Sequence, residues 1–449
     1  MTPAQLLGFF FRLLPRRGFL HLPALQNLTF YDRLFTPLVT LWYLLFQWLN
    51  ADHTLDAVLT DAHAGGADRL NGKLSRRLRS HATTSYSDAR QRLPTDLLAQ
   101  ALRLQGSQII DLSPTALWRG LVLTLLDGST VRLRPYGDIA KTFPPHGNQH
   151  RGRAYWCLLR VVVGFCALTG AALDCALGAT DLSEQALGVE IILRATSRCL
   201  FIGDRNFGVF WIAQVAQHSH QHVLVRLTQQ RARKLLGKSL KRGDYALNWT
   251  ATRHAHTQPG LSTEPVPGRL IVVPITRSGF RSQPLYLFTT LQDPLQYPVV
   301  ELVRLYGVRW HIELNLRYVK AQMGAVELHA HSAEMARKEW LAALMAYNLI
   351  RAAMLCAALS KGLPALSLSF SACRRRLEYW LRNLGRSKAA LLQSWQTTLQ
   401  KMSCCRLPHR RKPRPSEPRA QRHLRESFPP LIGSRAKARK KLQKVARKC

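Results

Sequence analysis

A chain of 449 residues with 47% hydrophobic content is long enough for two or three domains and too apolar to be wholly disordered. Lys and Arg total 64 against 26 Asp and Glu, a formal +38 that calls for a polyanionic partner; the basic residues run through the whole chain, which favours nucleic acid over a membrane surface. Nine cysteines without a C-x-x-C pair argue against a disulfide framework and a zinc ribbon and for a reducing, intracellular compartment, with Cys404, Cys405 and His409 lacking a second half-site.

Residues 1–107 read as helical throughout, with segments such as SYSDARQRLPTDLLAQALRLQ separated by the loop AHAGGADRLNG, and predict a separate N-terminal helical domain. No basic region followed by an apolar run and a cleavage site opens it, since Arg16 and Arg17 follow LLGFFFRLL. The uncharged run at residues 34–51 is only 18 long and contains Pro37, Gln47 and Asn50, so it reads as a buried helix and not a membrane span. Arg76, Arg77, Arg79, Arg90 and Arg92 give the region a basic surface, suited to plain solvation or to phosphate contacts.

From residue 118 the pattern changes. WRGLVLTLLDGSTVRLRP reads as strand, Asp-Gly turn, strand. A strand pair follows in AYWCLLRVVVGFCALTGAALDCALGAT, then a helix in DLSEQALGVEIILRAT opened by a capping box between Asp181 and Glu184. The run CLFIGDRNFG reads as a buried apolar strand ending at Asp204, FGVFWIAQVAQHS as a helix and HVLVRLT as a strand. Three strands, helix, strand, helix, strand is the order of a ribonuclease H-like α/β core, assigned to residues 108–228 and closed by a helix at 297–325. Between them, residues 229–296 hold strand-like pieces divided by Gly and Pro turns, predicting an all-β insertion before the last core helix. Residues 326–405 read as a C-terminal helical region. Residues 406–449 carry sixteen Lys or Arg against Glu417 and Glu426, the composition of a disordered tail that binds polyanions.

The closing helix lies in LYGVRWHIELNLRYVKAQM, residues 305–323. At about 100° per residue, Tyr306, Arg309, Glu313 and Lys320 share an arc of roughly 60°, one narrow polar stripe. Leu305, Val308, Ile312, Leu314, Leu316 and Val319 cover most of the rest, as in a helix packed on several sides. The plainer reading is an exposed face with an Arg309–Glu313 i,i+4 pair. Asp127 is placed at the end of the first core strand and Asp204 at the end of the strand after the first helix, neighbours in such a sheet, and Glu313 could face both. Three converging carboxylates repel one another and invite divalent cations, and hard oxygen donors favour Mg²⁺ or Mn²⁺ over zinc. Each acid also has a plainer role: Asp127 in a turn with Gly128, Asp204 as a helix cap, Glu313 as Arg309's partner.

The spacing of Tyr306, Arg309, Glu313 and Lys320 resembles the Y-R-E-K signature of DDE transposases of the insertion sequence four family. LLDGST around Asp127 and GDRNFG around Asp204 resemble that family's other acidic motifs, and FPPHGNQHRGRAYWCLLRVVV is also similar; the likeness covers roughly residues 85–350. In one departure Asn206 replaces the usual Gly after Asp-Arg, a position where Asn tolerates positive φ better than most residues.

The resemblance implies a bacterial, cytoplasmic, nucleoid-associated enzyme with the N-terminal helices binding DNA. Asp127, Asp204 and Glu313 would hold two Mg²⁺ or Mn²⁺ ions for cleavage and joining of DNA at terminal inverted repeats. Tyr306, Arg309 and Lys320 would grip transposon-end DNA, with Arg205 a further phosphate contact or an internal salt-bridge partner and Trp249 a candidate for stacking on an extruded base. Partners would be double-stranded DNA, as ends and as target, and a second copy in a synaptic homodimer, with no membrane. Other readings are a metal-dependent nuclease without strand transfer, a catalytically silent DNA-binding derivative, and covalent catalysis by Tyr306, which no Arg-His-Arg set supports.

Overall fold

A computed structural model of the chain describes residues 1–26, 34–50, 52–72, 74–113, 117–148, 152–237, 240–251, 262–275, 283–383, 387–407 and 433–446. The chain divides into two compact units. One comprises Met1–Ile202, Ser219–Gln221 and Gly307–Leu407; the other contains Gly203–His218, His222–Tyr306 and the described residues beyond 408.

The first unit opens with α1 (Pro3–Arg12), a 3-10 turn at Arg17–His21, α2 (Pro23–Gln26), α3 (Pro37–Leu49), α4 (Leu55–His63), α5 (Leu74–Arg77), α6 (Thr84–Arg92) and α7 (Thr95–Leu112). Thr2, Thr36 and Thr54 start α1, α3 and α4, each hydroxyl accepting a backbone N–H three residues on.

β1 (Leu117–Trp118) and β2 (Leu121–Leu133) then form a hairpin whose loop residues Arg119 and Gly120 take φ of 51° and 77°, the left-handed pair that two-residue hairpins favour. β2 continues unbroken through Asp127 and Gly128. After α8 (Ile139–Thr142) and β3 (Pro145–Asn148), β4 (Gly152–Cys166) pairs antiparallel with β2 from Thr124↔Cys166 to Leu133↔Cys157. The expected Asp-Gly turn therefore does not form, and Asp127 lies mid-strand, not at a strand end. Gly128 takes no positive φ; it is needed for space, because a Cβ there would stand 2.2 Å from Glu184 Cδ.

β5 (Ala172–Gly178) runs antiparallel to β4. α9 (Glu184–Arg194) follows, and β6 (Cys199–Gly203) runs parallel to β2, giving the lateral order β5-β4-β2-β6. α9 is capped by Ser183, which accepts the Ala186 N–H, while Asp181 accepts from Leu182, so the cap is Ser183 and not the expected Asp181.

In the second unit, α10 (Phe210–His218), β7 (His222–Arg226), α11 (Gln229–Leu236), β8 (Gly243–Trp249), β9 (Val266–Ile275) and β10 (Gln283–Thr289) build an antiparallel ladder ordered β7-β10-β9-β8. Residues 229–296 thus begin with a helix and are not all-β. The chain continues through α12 (Val299–Val308), α13 (Trp310–Arg317) and a π-helical turn at Tyr318–Gln322.

The first unit is completed by β11 (Glu327–Leu328), parallel to the end of β2, and by α14 (Ala333–Leu359), α15 (Phe370–Arg382) and α16 (Lys388–Ser403). α14 is long and apolar enough to cross a membrane, but its apolar stretch is wholly buried inside the protein. α7 lies on both β5 and α14, α3 on α14, and α1 on α14 and α16, so the N-terminal helices do not stand apart as a small domain. Arg90, expected at the surface, is 8% exposed and paired with Glu339 at 2.9 Å. Within the segment expected to be a disordered tail, Arg435–Ala446 form α17; residues 408–432 and 447–449 lie outside the described residues.

Candidate active site

Asp127 is half-buried on β2 and its Oδ1 accepts the Gly128 N–H at 3.0 Å. Alternation along the strand puts Asp127 and Ser129 on one face and Gly128, with its neighbour Glu184, on the other. Lys320 is anchored to this strand: its Nζ donates to Ser129 Oγ and to Thr130 O, both at 2.9 Å. Burial, and secondarily the nearby Arg132 cation, hold the Lys320 ammonium below the ordinary lysine range. Lys320 therefore stands two and three residues along the chain from the position of Asp127, although the two are far apart in sequence.

The stretch carrying Lys320 is not the uniform helix that a 100° spacing assumes. α12 and α13 meet at Arg309, whose φ of −50° and ψ of −31° keep the helical sense without a side-chain cap. Past Tyr318 the backbone widens into the π-turn, which changes the angular position of Lys320. Arg309 Nη2 donates to Glu313 Oε1 at 3.1 Å, so the ordinary i,i+4 pair does form, with Glu313 45% exposed. Trp310 and Leu314 are each 43% exposed, so the helix is open on a side expected to be packed.

A buried network steadies this segment from behind. Arg351 donates to Asn315 Oδ1 at 2.6 Å and to the Tyr347 hydroxyl at 2.7 Å, and Tyr318 stacks on Phe370 at 4.5 Å. Ser129, Asn315 and Arg351 escaped the sequence reading. Arg351 had a signal, a charged residue in a largely apolar helical run, but its partner Asn315 is remote in the chain.

In the second unit Asp204 follows β6 and its Oδ1 accepts the Asn206 N–H at 2.8 Å. This is a local turn two residues long and not the cap of α10. Asn206 takes no positive φ, so the departure from glycine costs no strain. The flanking glycines matter sterically: a Cβ on Gly203 would meet Phe207 Cβ at 2.7 Å, and one on Gly208 would meet Arg226 O at 2.2 Å. Arg205 is exposed and makes no ion pair among the described residues, while its carbonyl accepts from Arg231 at 2.8 Å. Tyr306 is 9% exposed on α12, not on an open stripe. Trp249 is 5% exposed, with Phe210 and Phe288 rings edge-on at 6.3 and 4.7 Å. It is a core residue of this unit. Among the described residues, no three His, Cys, Asp or Glu side chains gather into a metal-holding group.

Residues 118–349, just over half of the chain, match the family described as Transposase DDE domain, and the chain belongs to that family. Asp127, Asp204, Tyr306, Arg309, Glu313 and Lys320 all fall in the matched span. The chain is 27% identical over 297 residues to the transposase InsG for insertion sequence element IS4 of Escherichia coli strain K12, and the match covers 65% of each protein. It thus spans slightly less than two thirds of that relative's length. Among solved structures it is similar to a piggyBac transposase in a synaptic complex with hairpin DNA, at a TM-score of 0.41 and 11% identity over 88% of this chain and 85% of that one.

Proposed function

We propose that this chain is a DNA transposase that cleaves and joins phosphodiester bonds at the terminal inverted repeats of its own insertion sequence, on a ribonuclease H-like core. The supporting observation is the seating of Lys320 on Ser129 and Thr130, which ties the Y-R-E-K segment to the strand that carries Asp127. Asp127, Asp204 and Glu313 are the proposed holders of two Mg²⁺ or Mn²⁺ ions. Their donor set fits hard cations, being carboxylate oxygen without sulfur or imidazole, and Glu313 is exposed and held by an Arg309 pair of the kind that exchanges readily. Bound ions of this kind neutralise charge at phosphorus and activate a water or a DNA 3′-hydroxyl.

The protein's own groups position the DNA. Arg309, released from Glu313, offers a planar fork to phosphate oxygens, and Lys320 offers a point charge on the strand that carries Asp127. Arg205 adds an exposed cation after Asp204, and Trp310 an exposed ring beside the Arg309 guanidinium, 5.7 Å from its centroid. Tyr306 is too enclosed to do more than touch DNA by its edge. The proposed partners are double-stranded DNA and, in a synaptic complex, a second copy of the chain.

The test uses labelled terminal-repeat DNA with Mg²⁺. Wild type should nick the end and join it to target DNA, and Asp204→Asn should bind the end but cleave it at least ~100-fold more slowly, the scale of losing metal stabilisation of the transition state. Cleavage by Asp204→Asn at the wild-type rate sinks the assignment. Cutting without joined product by the wild type indicates a nuclease, and binding without cutting a silent derivative.

A further inference from the structure

We propose that Cys373 and Cys405 form a redox-modification site, joined into a reversible disulfide within the chain by a hydroperoxide oxidant such as hydrogen peroxide. Cys373 stands in the first turn of α15 and is buried, whereas Cys405 follows α16 and is partly exposed. Two backbone steps hold them together: the Ser369 N–H donates to Cys405 O at 2.7 Å, and the Cys373 N–H donates to Ser369 O at 3.0 Å. An antiparallel bridge between Leu368 and Arg406 and a bond from the Leu407 N–H to Ser367 O at 2.8 Å extend that contact.

The side chains meet as well. The Cys373 thiol donates to Met402 O at 3.9 Å and is hydrogen-bonded with the Cys405 side chain, and the Cys405 thiol donates to Lys401 O at 3.2 Å. Both sulfurs therefore lie against the last turn of α16 and touch each other, an arrangement in which a disulfide forms without a large backbone movement. Burial, and then the neighbouring Cys405, push the Cys373 thiol up to about 12, so it keeps its proton until an oxidised sulfur is presented to it. Cys405 is the member of the pair that an oxidant in solvent reaches first.

The chemistry balances with the peroxide as sole oxidant. The Cys405 sulfur takes one peroxide oxygen as the O–O bond breaks, and the other oxygen leaves as water with the thiol proton. The Cys373 sulfur then displaces the hydroxyl of this sulfenic acid to form the S–S bond, and its own proton completes a second water. The two thiols together lose two electrons, which the peroxide gains. The loop so closed contains the whole of α16 and fastens residues 405–407, the end of the first unit and the start of the basic run. It fastens them to the helix that also holds the π-turn of Lys320, since Ser371 Oγ of α15 donates to Gln322 Oε1 at 2.7 Å. A reducing compartment suits such a bond, because disulfides there are typically transient and redox-sensing.

The full chain, reduced and then freed of reductant, is treated with hydrogen peroxide, its free thiols are blocked, and its peptides are mapped by mass spectrometry without reduction. The chain should lose the mass of two hydrogen atoms, and the peptides holding Cys373 and Cys405 should be linked and should separate on addition of a dithiol. Trypsin leaves Cys404 and Cys405 in one peptide, so Cys404→Ser, which should link as the wild type does, assigns the bond to Cys405. Cys405→Ser should abolish the link, and Cys373→Ser should leave a sulfenic acid on Cys405 that dimedone labels. Oxidation should slow amide exchange severalfold at Ser369 and Leu407. The proposal is overturned if the wild-type chain stays unlinked, whether or not it takes up oxygen, if the bond joins Cys404 to Cys405 or joins two chains, if Cys404→Ser loses it, or if the two amides exchange as fast in the linked chain. The wild-type and Cys404→Ser maps decide even where Cys373→Ser does not fold.

Discussion

Lys320 shows how a side chain can be singled out by its spacing while its place in the fold stays hidden. Its spacing from Glu313 was legible, but its contacts with Ser129 and Thr130 depend on a π-turn that no 3.6-residue periodicity describes. Water loss and the Arg132 cation lower its pKa. A lysine lowered in the folded state binds fewer protons folded than unfolded as pH rises between the folded and unfolded values, so stability increases with pH across that interval; below the folded value, at neutral pH, the charge costs stability. Lys320→Met should therefore be about as stable as wild type at neutral pH and should lose the alkaline increase. Its binding to terminal-repeat DNA should weaken, and the slope of log affinity against log salt should fall in magnitude by about 0.9 for one lost phosphate contact. Denaturant titrations from neutral to alkaline pH and binding titrations in salt check the two halves. An unchanged salt slope removes the phosphate role from Lys320.

At the scale of elements, glycines decide where the candidate carboxylates sit, and they do so by size. In LLDGST the Asp-Gly pair looked like a turn because glycine's freedom at positive φ is its best-known use. Gly128 instead stays extended inside β2 and makes room for a side chain from α9, a role visible only once the strand is placed beside the helix. GDRNFG was legible as strand, turn and helix, but not the reason for its last glycine, which lies against the β7 carbonyl of Arg226. The two cases predict different costs. Gly208→Ala meets a backbone atom that cannot rotate away and should destabilise by about 1–3 kcal/mol, with displacement of the Asp204 turn. Gly128→Ala meets the flexible end of Glu184 and should cost about 1 kcal/mol, most of it recovered by adding Glu184→Ala. Chemical denaturation of the two single variants and the double variant measures the coupling, and additive effects in the cycle would show that Glu184 is not what Gly128 accommodates.

Over the whole molecule, the change from helical to strand-rich sequence near residue 118 marks a real change of element, yet it does not mark a separable body. α14 is apolar around its circumference, which reads as a helix buried on all sides; its partners α7, α3 and α1 come from the far end of the chain and leave no local trace. The polar contacts of this packing are buried as well. Lys338, 1% exposed, donates to the carbonyls of Arg90 and Gln91 at 3.3 and 2.8 Å, capping the end of α6, and Gln105 of α7 donates to Leu13 O at 2.8 Å. Removing α1–α7 would uncover the apolar faces of α14 and β5, leave the Lys338 ammonium with Glu334 but without the Arg90 and Gln91 carbonyls, and take Arg90 from the Glu339 carboxylate, a combination far costlier than the few kcal/mol by which domains are stable. A fragment spanning residues 113–449 should therefore be insoluble or unfold without a cooperative transition, whereas the full chain unfolds cooperatively. Circular dichroism during heating, together with hydrogen exchange on α14, distinguishes the outcomes. A soluble fragment with α14 still protected would restore the N-terminal helices to the status of an independent domain.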